Sequence, residues 1–218
     1  MSAPAIDARQ LQAVLAEHLD MYRTRVPHYQ AEMLSSLAEL WQGKPARLLD
    51  IGGGTGVIAE AISRFLPVGK VRSIDLVDRY CKGLSVETQA YDGKTIPFGD
   101  GSHDAATMNN VLHHVPKAAR ADLLKEIRRV VAGPLYIKDH LSSGWLDDQK
   151  LTLLDAIGNI PFGGMIAAQY LPQQEWEHLA AASGWKIGAT ATDRRYRSGP
   201  MALFFPNRLE VTFRLDPV

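Results

Sequence analysis

The 218-residue chain contains a single cysteine, Cys81, so it forms no internal disulfide and cannot assemble a cysteine-rich zinc site. No metal site is expected from this inventory. Neither sign of charge is in excess: 24 Lys+Arg stand against 24 Asp+Glu. Without a global positive field, a general nucleic-acid coat is excluded. Long apolar runs are missing too. The least charged stretch, 151–172, carries only Asp155, but Gly158, Pro161, Gly163 and Gly164 break it before it resembles a membrane span. The N-terminal stretch is amphipathic and acid-containing, unlike the charged start and apolar core of a signal peptide. A cytoplasmic protein that touches neither membrane nor nucleic acid is expected, as a monomer or homodimer.

What the chain does have is ordinary globular composition, 46% apolar and 22% charged, at a length suited to one core. Over 7–42, Leu11, Val14, Leu15 and Leu19, then Met33, Leu34, Leu37 and Leu40, recur at three- and four-residue spacing. This predicts two helices hinged near Pro27. From Arg47 short apolar runs alternate with helical segments. Strands are expected at 48–51, 71–77, 86–91, 104–108 and 135–139, with helices at 57–65 and 117–131. Beyond Asp139, helices are expected at 146–157 and 173–183, with two further strands at 185–192 and 208–215. The alternation predicts an α/β, doubly wound, Rossmann-like sheet of about seven mostly parallel strands. The chain divides into an N-terminal helical cap (1–46), a core (47–140), a partly helical lid (141–183) and C-terminal strands (184–218). The segment 78–87 leaves room for a short crossover helix or none.

The sequence LLDIGGGTG, 48–56, joins a strand, an acid and a GxGxG turn directly to a helix. Gly52, Gly54 and Gly56 let the backbone turn tightly and bring a ligand to the helix N-terminus. Val57 occupies the position where a dinucleotide fingerprint needs glycine or alanine. Asp50, at the strand end, disfavours a pyrophosphate and favours an ammonium or sulfonium. Asp75 follows Gly56 by nineteen residues, near the ~20-residue offset of an acid that reaches ribose hydroxyls, with Asp78 as its rival. Asp92-Gly93 then ends the third strand, Ile96-Pro97-Phe98 follows, and Asn109-Asn110 precedes the pair His113-His114.

This order of motifs over 48–140 resembles the class I S-adenosylmethionine-dependent methyltransferases of small-molecule type. The resemblance implies that Gly52, Gly53, Gly54 and Gly56 pass under the methionyl end of S-adenosylmethionine. It implies that Asp50 meets the amino group, Asp75 the ribose diol, Leu76 the adenine face, and Asp92 with Gly93 the adenine edge. Asn109 or Asn110 would offer a carbonyl near the ammonium, with His113 close by. S-adenosylhomocysteine would be the product. His103 stands where the family usually carries an aromatic residue.

His140 ends the fifth strand, and ligands of doubly wound sheets bind outside the strands' carboxyl ends. His140, supported by Asp139 or His113, is therefore the expected base for an acceptor that retains its proton. Asn159 and Tyr170 are the expected substrate contacts, and 151–172 together with the N-terminal helices is the expected lid over a small apolar or aromatic metabolite, as in secondary metabolism. The alternatives are an NAD-dependent oxidoreductase or a non-catalytic cofactor-binding partner subunit. The neutral total conceals a basic cluster, Arg194, Arg195 and Arg197, open to an anionic contact.

Overall fold

In the computed structural model the described residues are 5–159, 167–192 and 194–218. Seven strands form one sheet: β1 (Arg47–Ile51), β2 (Lys70–Asp75), β3 (Glu87–Ala90), β4 (Ala105–Asn109), β5 (Leu135–His140), β6 (Trp185–Ala191) and β7 (Glu210–Pro217). Their order is β3-β2-β1-β4-β5-β7-β6, parallel except that β7 runs antiparallel to both β5 and β6. This is the α/β, Rossmann-like fold expected. The chain reverses direction between β1–β2–β3 on one side and β4–β5 on the other, so a crevice opens at the carboxyl ends of β1 and β4.

Strand alternation distributes the helices. Leu49 and Ile51 of β1 face one layer, where α4 (Lys117–Val130) and α6 (Gln173–Ala182) contribute Leu124, Ile127, Trp176 and Ala180. Leu48 faces the other layer, where α1 (Ala8–Ala16), α2 (His28–Leu40) and α3 (Val57–Phe65) contribute Leu11, Leu15, Leu34, Leu37 and Ile62. Adjacent side chains of a strand point to opposite faces, so the continuous apolar run of β1 supplies both cores. The remaining helices are α5 (Trp145–Asn159) and α7 (Gly199–Phe204).

Several boundaries differ from expectation. The first helix stops at Ala16, and a 3-10 turn at Asp20–Arg23 takes up the stretch before Pro27. β2 ends at Asp75, where the carboxylate accepts the Val77 backbone N–H and turns the chain away from the sheet. Among the described residues no helix joins β2 to β3. α7 was not expected; Pro200 sits in its first turn, where its missing N–H costs nothing. Residues 160–166, within the expected lid, lie outside the described residues. No helix among the described residues is long and apolar enough to cross a membrane.

Candidate functional site

A cavity of about 570 Å³ opens at the carboxyl ends of β1, β2 and β4. The glycine turn after β1 forms its floor. Gly54 has φ +58° and nothing within 4 Å of where a side chain would begin, so its backbone is bare to the cavity. Gly53 is glycine for a different reason: a Cβ there would lie 1.8 Å from the Ser73 hydroxyl oxygen. That hydroxyl donates to Asp50 at 2.9 Å, and Thr107 donates to the other carboxylate oxygen at 2.8 Å. Burial pushes the Asp50 carboxyl up to about 6, against the pull of the two hydroxyls. Asp50 thus reaches the cavity as a buried charge tied to β2 and β4 rather than as an exposed carboxylate.

Asp75 also lines the cavity, and its Oδ2 accepts the Gly54 backbone N–H at 2.7 Å. Its rival Asp78 is exposed and is not among the lining residues. Leu76 is 55% exposed and lies on the cavity wall, with Gly93 close enough beneath it that a Cβ there would come within 2.6 Å. Asp92 lines the same end. Its Oδ1 accepts the backbone N–H groups of Lys94 and Thr95, which hold its carboxyl below the usual range. Asn109 and Asn110 complete the wall after β4. The Asn109 side-chain nitrogen and oxygen are buried beside Asp50. Asn110 adopts a left-handed φ of +55°, which asparagine tolerates better than most residues. Of the glycines in the loop, Gly52, Gly53 and Gly54 line the cavity, and Gly56 caps α3.

The opposite wall comes from the N-terminal cap, which was expected to share the covering role with 151–172. Leu19, Tyr22, Tyr29, Gln30 and Met33, from the 3-10 turn and α2 region, close the cavity. Among the described residues none from 141–183 lines it, and 160–166 lie outside the described residues. Tyr29 is the link inward, since its hydroxyl accepts from Lys138 Nζ at 2.5 Å, and Lys138 also donates to Asn110 Oδ1 at 2.9 Å. Lys138 is fully buried and pairs with Glu210. Burial opposes its charge, but the Glu210 carboxylate outweighs that and raises its pKa. An Asn at the end of β4 beside a Lys in β5 was the available sequence signal, but the pairing depends on Glu210, seventy-two positions away.

The expected catalytic histidines sit elsewhere. Of the neighbouring pair it is His114 that lines the cavity, while His113 is buried behind it, the rings 4.0 Å apart. His113 Nδ1 meets Asp139 Oδ1 at 2.5 Å, and Asp139 also accepts the backbone N–H of Leu112 and of His140. His140 is 3% exposed, with Nδ1 3.1 Å from Glu210 Oε2 and Nε2 3.6 Å from Asp155 Oδ1. Burial opposes protonation of His113, yet Asp139 and Asp155 raise it to about 9. His140 is raised as well, Glu210 prevailing over burial. A free base facing the crevice is therefore corrected to a closed His–carboxylate cluster one layer behind it. Tyr170, expected on the substrate, is buried and donates to Asp155 Oδ2 at 2.5 Å. Asn159 ends α5, and its side chain lies outside the described residues. The basic cluster is also partly consumed, with Arg194 paired to Glu32 and Glu39 and Arg197 to Glu210.

A family model described as a methyltransferase domain matches residues 22–189. The chain is 30% identical over 141 residues to the release factor glutamine methyltransferase of Gloeobacter violaceus, covering 59% of this chain and 47% of that protein. It is 26% identical over 130 residues to the malonyl-[acyl-carrier protein] O-methyltransferase of Geobacter sulfurreducens, covering 56% and 48%. The chain thus spans about half the length of these curated relatives. Among solved structures, the geranyl diphosphate C-methyltransferase of Streptomyces coelicolor, in complex with Mg2+, geranyl diphosphate and S-adenosyl-L-homocysteine, superposes with a TM-score of 0.65. That pairing has 16% identity and covers 100% of this chain and 90% of that one.

Proposed function

The chain belongs to the methyltransferase-domain family, and from that membership we propose that it transfers the methyl group of S-adenosylmethionine to a small apolar or aromatic metabolite. One observation carries the reading: the bare Gly54 backbone, Asp75, Leu76, Asp92 and the buried Asn109 amide converge on one cavity from four consecutive strand ends. Its volume of about 570 Å³ lies within the ~300–1,000 Å³ of small-molecule sites. The residues fit the cofactor. A buried carboxylate suits a cationic methionyl end, a strand-end acid suits a diol, and an exposed leucine over a glycine suits a flat base.

Bound there, S-adenosylmethionine supplies an electrophilic methyl on a positively charged sulfur. The chain's own task is to aim an acceptor and exclude water, which is worth up to ~7–11 kcal/mol in favourable cases. Leu19, Tyr22, Tyr29 and Met33 offer the acceptor an apolar and aromatic wall. Lys138, through Asn110 and Tyr29, fixes two side chains of that wall. No base among the expected residues faces the cavity; His114 is the imidazole on its wall, and burial lowers its pKa so that the ring is neutral near pH 7. His114 is thus the group we assign to proton acceptance when the acceptor requires it.

Calorimetric binding of S-adenosylhomocysteine, followed by a screen of small aromatic and apolar acceptors with methyl-labelled cofactor, tests the reading. Binding of NADH in preference to S-adenosylhomocysteine would overturn it, and transfer only to a protein or a nucleic acid would overturn the acceptor class.

A further inference from the structure

Behind the cavity wall, His113, His140 and Asp155 bring ligand atoms to within 4.8 Å of one another, all three residues buried. The elements that carry them are separate in sequence: the 3-10 turn at Leu112–His114, the end of β5 and the C-terminal half of α5. His113 Nε2 lies 3.2 Å from Asp155 Oδ2, and His140 Nε2 lies 3.6 Å from Asp155 Oδ1. Neither contact is a well-formed hydrogen bond: His113 Nε2 is buried with no partner in hydrogen-bond geometry, although its side chain is only 2% exposed. A buried ring nitrogen is rarely left unmatched, because its desolvation is uncompensated.

We propose that His113, His140 and Asp155 form a binding site for a divalent transition-metal ion, with zinc as the best-matched cation. Zinc–nitrogen and zinc–oxygen bonds of ~2.0–2.1 Å place neighbouring donors of a tetrahedral ion ~3.3 Å apart, close to the two separations observed. His113 also has the support that metal-ligating histidines use: its far nitrogen meets Asp139 at 2.5 Å, a carboxylate–histidine pair that fixes the ring and leaves Nε2 turned to the ion. The far nitrogen of His140 lies 3.1 Å from Glu210 but outside hydrogen-bond geometry. Tyr170 holds Asp155 in place from the other side through its 2.5 Å hydrogen bond.

Three carboxylates, Asp139, Asp155 and Glu210, surround the two rings, with Lys138 and Arg197 paired to Glu210 and the buried Arg120 guanidinium facing Asp139. Two nitrogens and a carboxylate favour zinc, iron or nickel over calcium or magnesium, which take oxygen sets. An ion held there would tie α5 to the turn after β4 and the end of β5, with the His113 ring 4.0 Å from that of His114. The inference stands apart from the methyl-transfer reading, since it concerns residues that do not line the cavity.

The test uses the full chain, stripped with chelator and then titrated with Co2+ and with Zn2+. One equivalent should bind, with visible Co2+ absorption of a low-coordinate nitrogen–oxygen site, and Zn2+ should displace it. Asp155→Asn and His140→Gln should abolish binding or weaken it at least tenfold. Asp139→Asn, which removes only ring support, should weaken it ~10–100-fold. Where a variant does not fold, anomalous scattering at the zinc edge from crystals of the wild-type protein gives the answer, with a peak expected between the three donors. Absence of a stoichiometric ion, affinity unchanged in folded variants, or a zinc peak elsewhere overturns the proposal. Methyl transfer is not read in any arm, so failure here leaves the proposed function standing.

Discussion

The backbone N–H of Gly54 donates to the Asp75 carboxylate at 2.7 Å. Two motifs twenty-one positions apart are therefore one unit: the acid that ends β2 holds the glycine turn that follows β1. Asp75→Ala should do more than remove a ligand contact, because it also releases the loop. We expect S-adenosylhomocysteine affinity to fall by at least tenfold, while Asp78→Ala, at an exposed position off the cavity, leaves it within twofold. Isothermal titration of the two variants checks this, and equal losses would return the role to Asp78.

Asp50 sets a pH dependence. Its carboxyl is raised to about 6 by burial, so the folded ligand-free chain holds the proton more tightly than the unfolded chain does. Stability is thus lost as pH rises from the ordinary carboxyl range through about 6, and the loss is complete above it. Cation binding runs the other way, because the ionised carboxylate attracts it. Cofactor affinity should weaken as pH falls below about 6, approaching tenfold per unit, and Asp50→Asn should flatten that slope. Calorimetry between about pH 5 and about pH 7.5 distinguishes a sloped from a flat profile.

Gly53→Ala places a methyl 1.8 Å from the Ser73 hydroxyl oxygen and 2.9 Å from Asp50 Oδ2. Ser73 must turn away, and its hydrogen bond to the buried carboxylate is lost. A destabilisation of about 1–3 kcal/mol is expected from the unsatisfied group, together with weakened cofactor binding. A denaturant melt of Gly53→Ala matching that of the wild type would show the loop to be more compliant than this packing allows.

Glu210→Gln removes the partner of a fully buried lysine. Breaking a buried ion pair from one side costs about 3–5 kcal/mol, since the remaining charge is uncompensated. Lys138→Met, which removes the cation without stranding a positive charge, should be tolerated better. Thermal denaturation of both variants ranks them, and the reverse order would contradict the assignment of Glu210 as the compensating charge.

Much of the cofactor half was legible because it is local. The strand–acid–glycine run at 48–56, the acid at Asp75 and the Asp92-Gly93 turn all carry their meaning in a few neighbouring residues, and Asp50 to Thr55, Asp75, Asp92 and Gly93 line one cavity. In the acceptor half the N-terminal cap was legible but its lining residues were not, for the opposite reason. Tyr22, Tyr29 and Met33 have the spacing of ordinary core residues, and only the packing of α2 against the sheet turns some of them toward a cavity. His113 and His114 are adjacent in sequence but diverge in the tight turn after β4, one inward to Asp139 and one to the cavity, and no periodicity separates them.

The sequence by itself determined the fold class, the strand that carries the glycine turn and the acids that accompany it, because hydrophobic period and turn chemistry act over short range. Tertiary structure alone decided which buried charges meet. Asp155, Glu210, His113 and the β5 pair Lys138 and His140 come from four separate stretches, and their pairing follows from the antiparallel insertion of β7 beside β5 and the placement of α5 over the strand ends. In a low-dielectric interior a charge is held only by the partner the fold brings to it, so its role is set by long-range packing rather than by its neighbours in the chain.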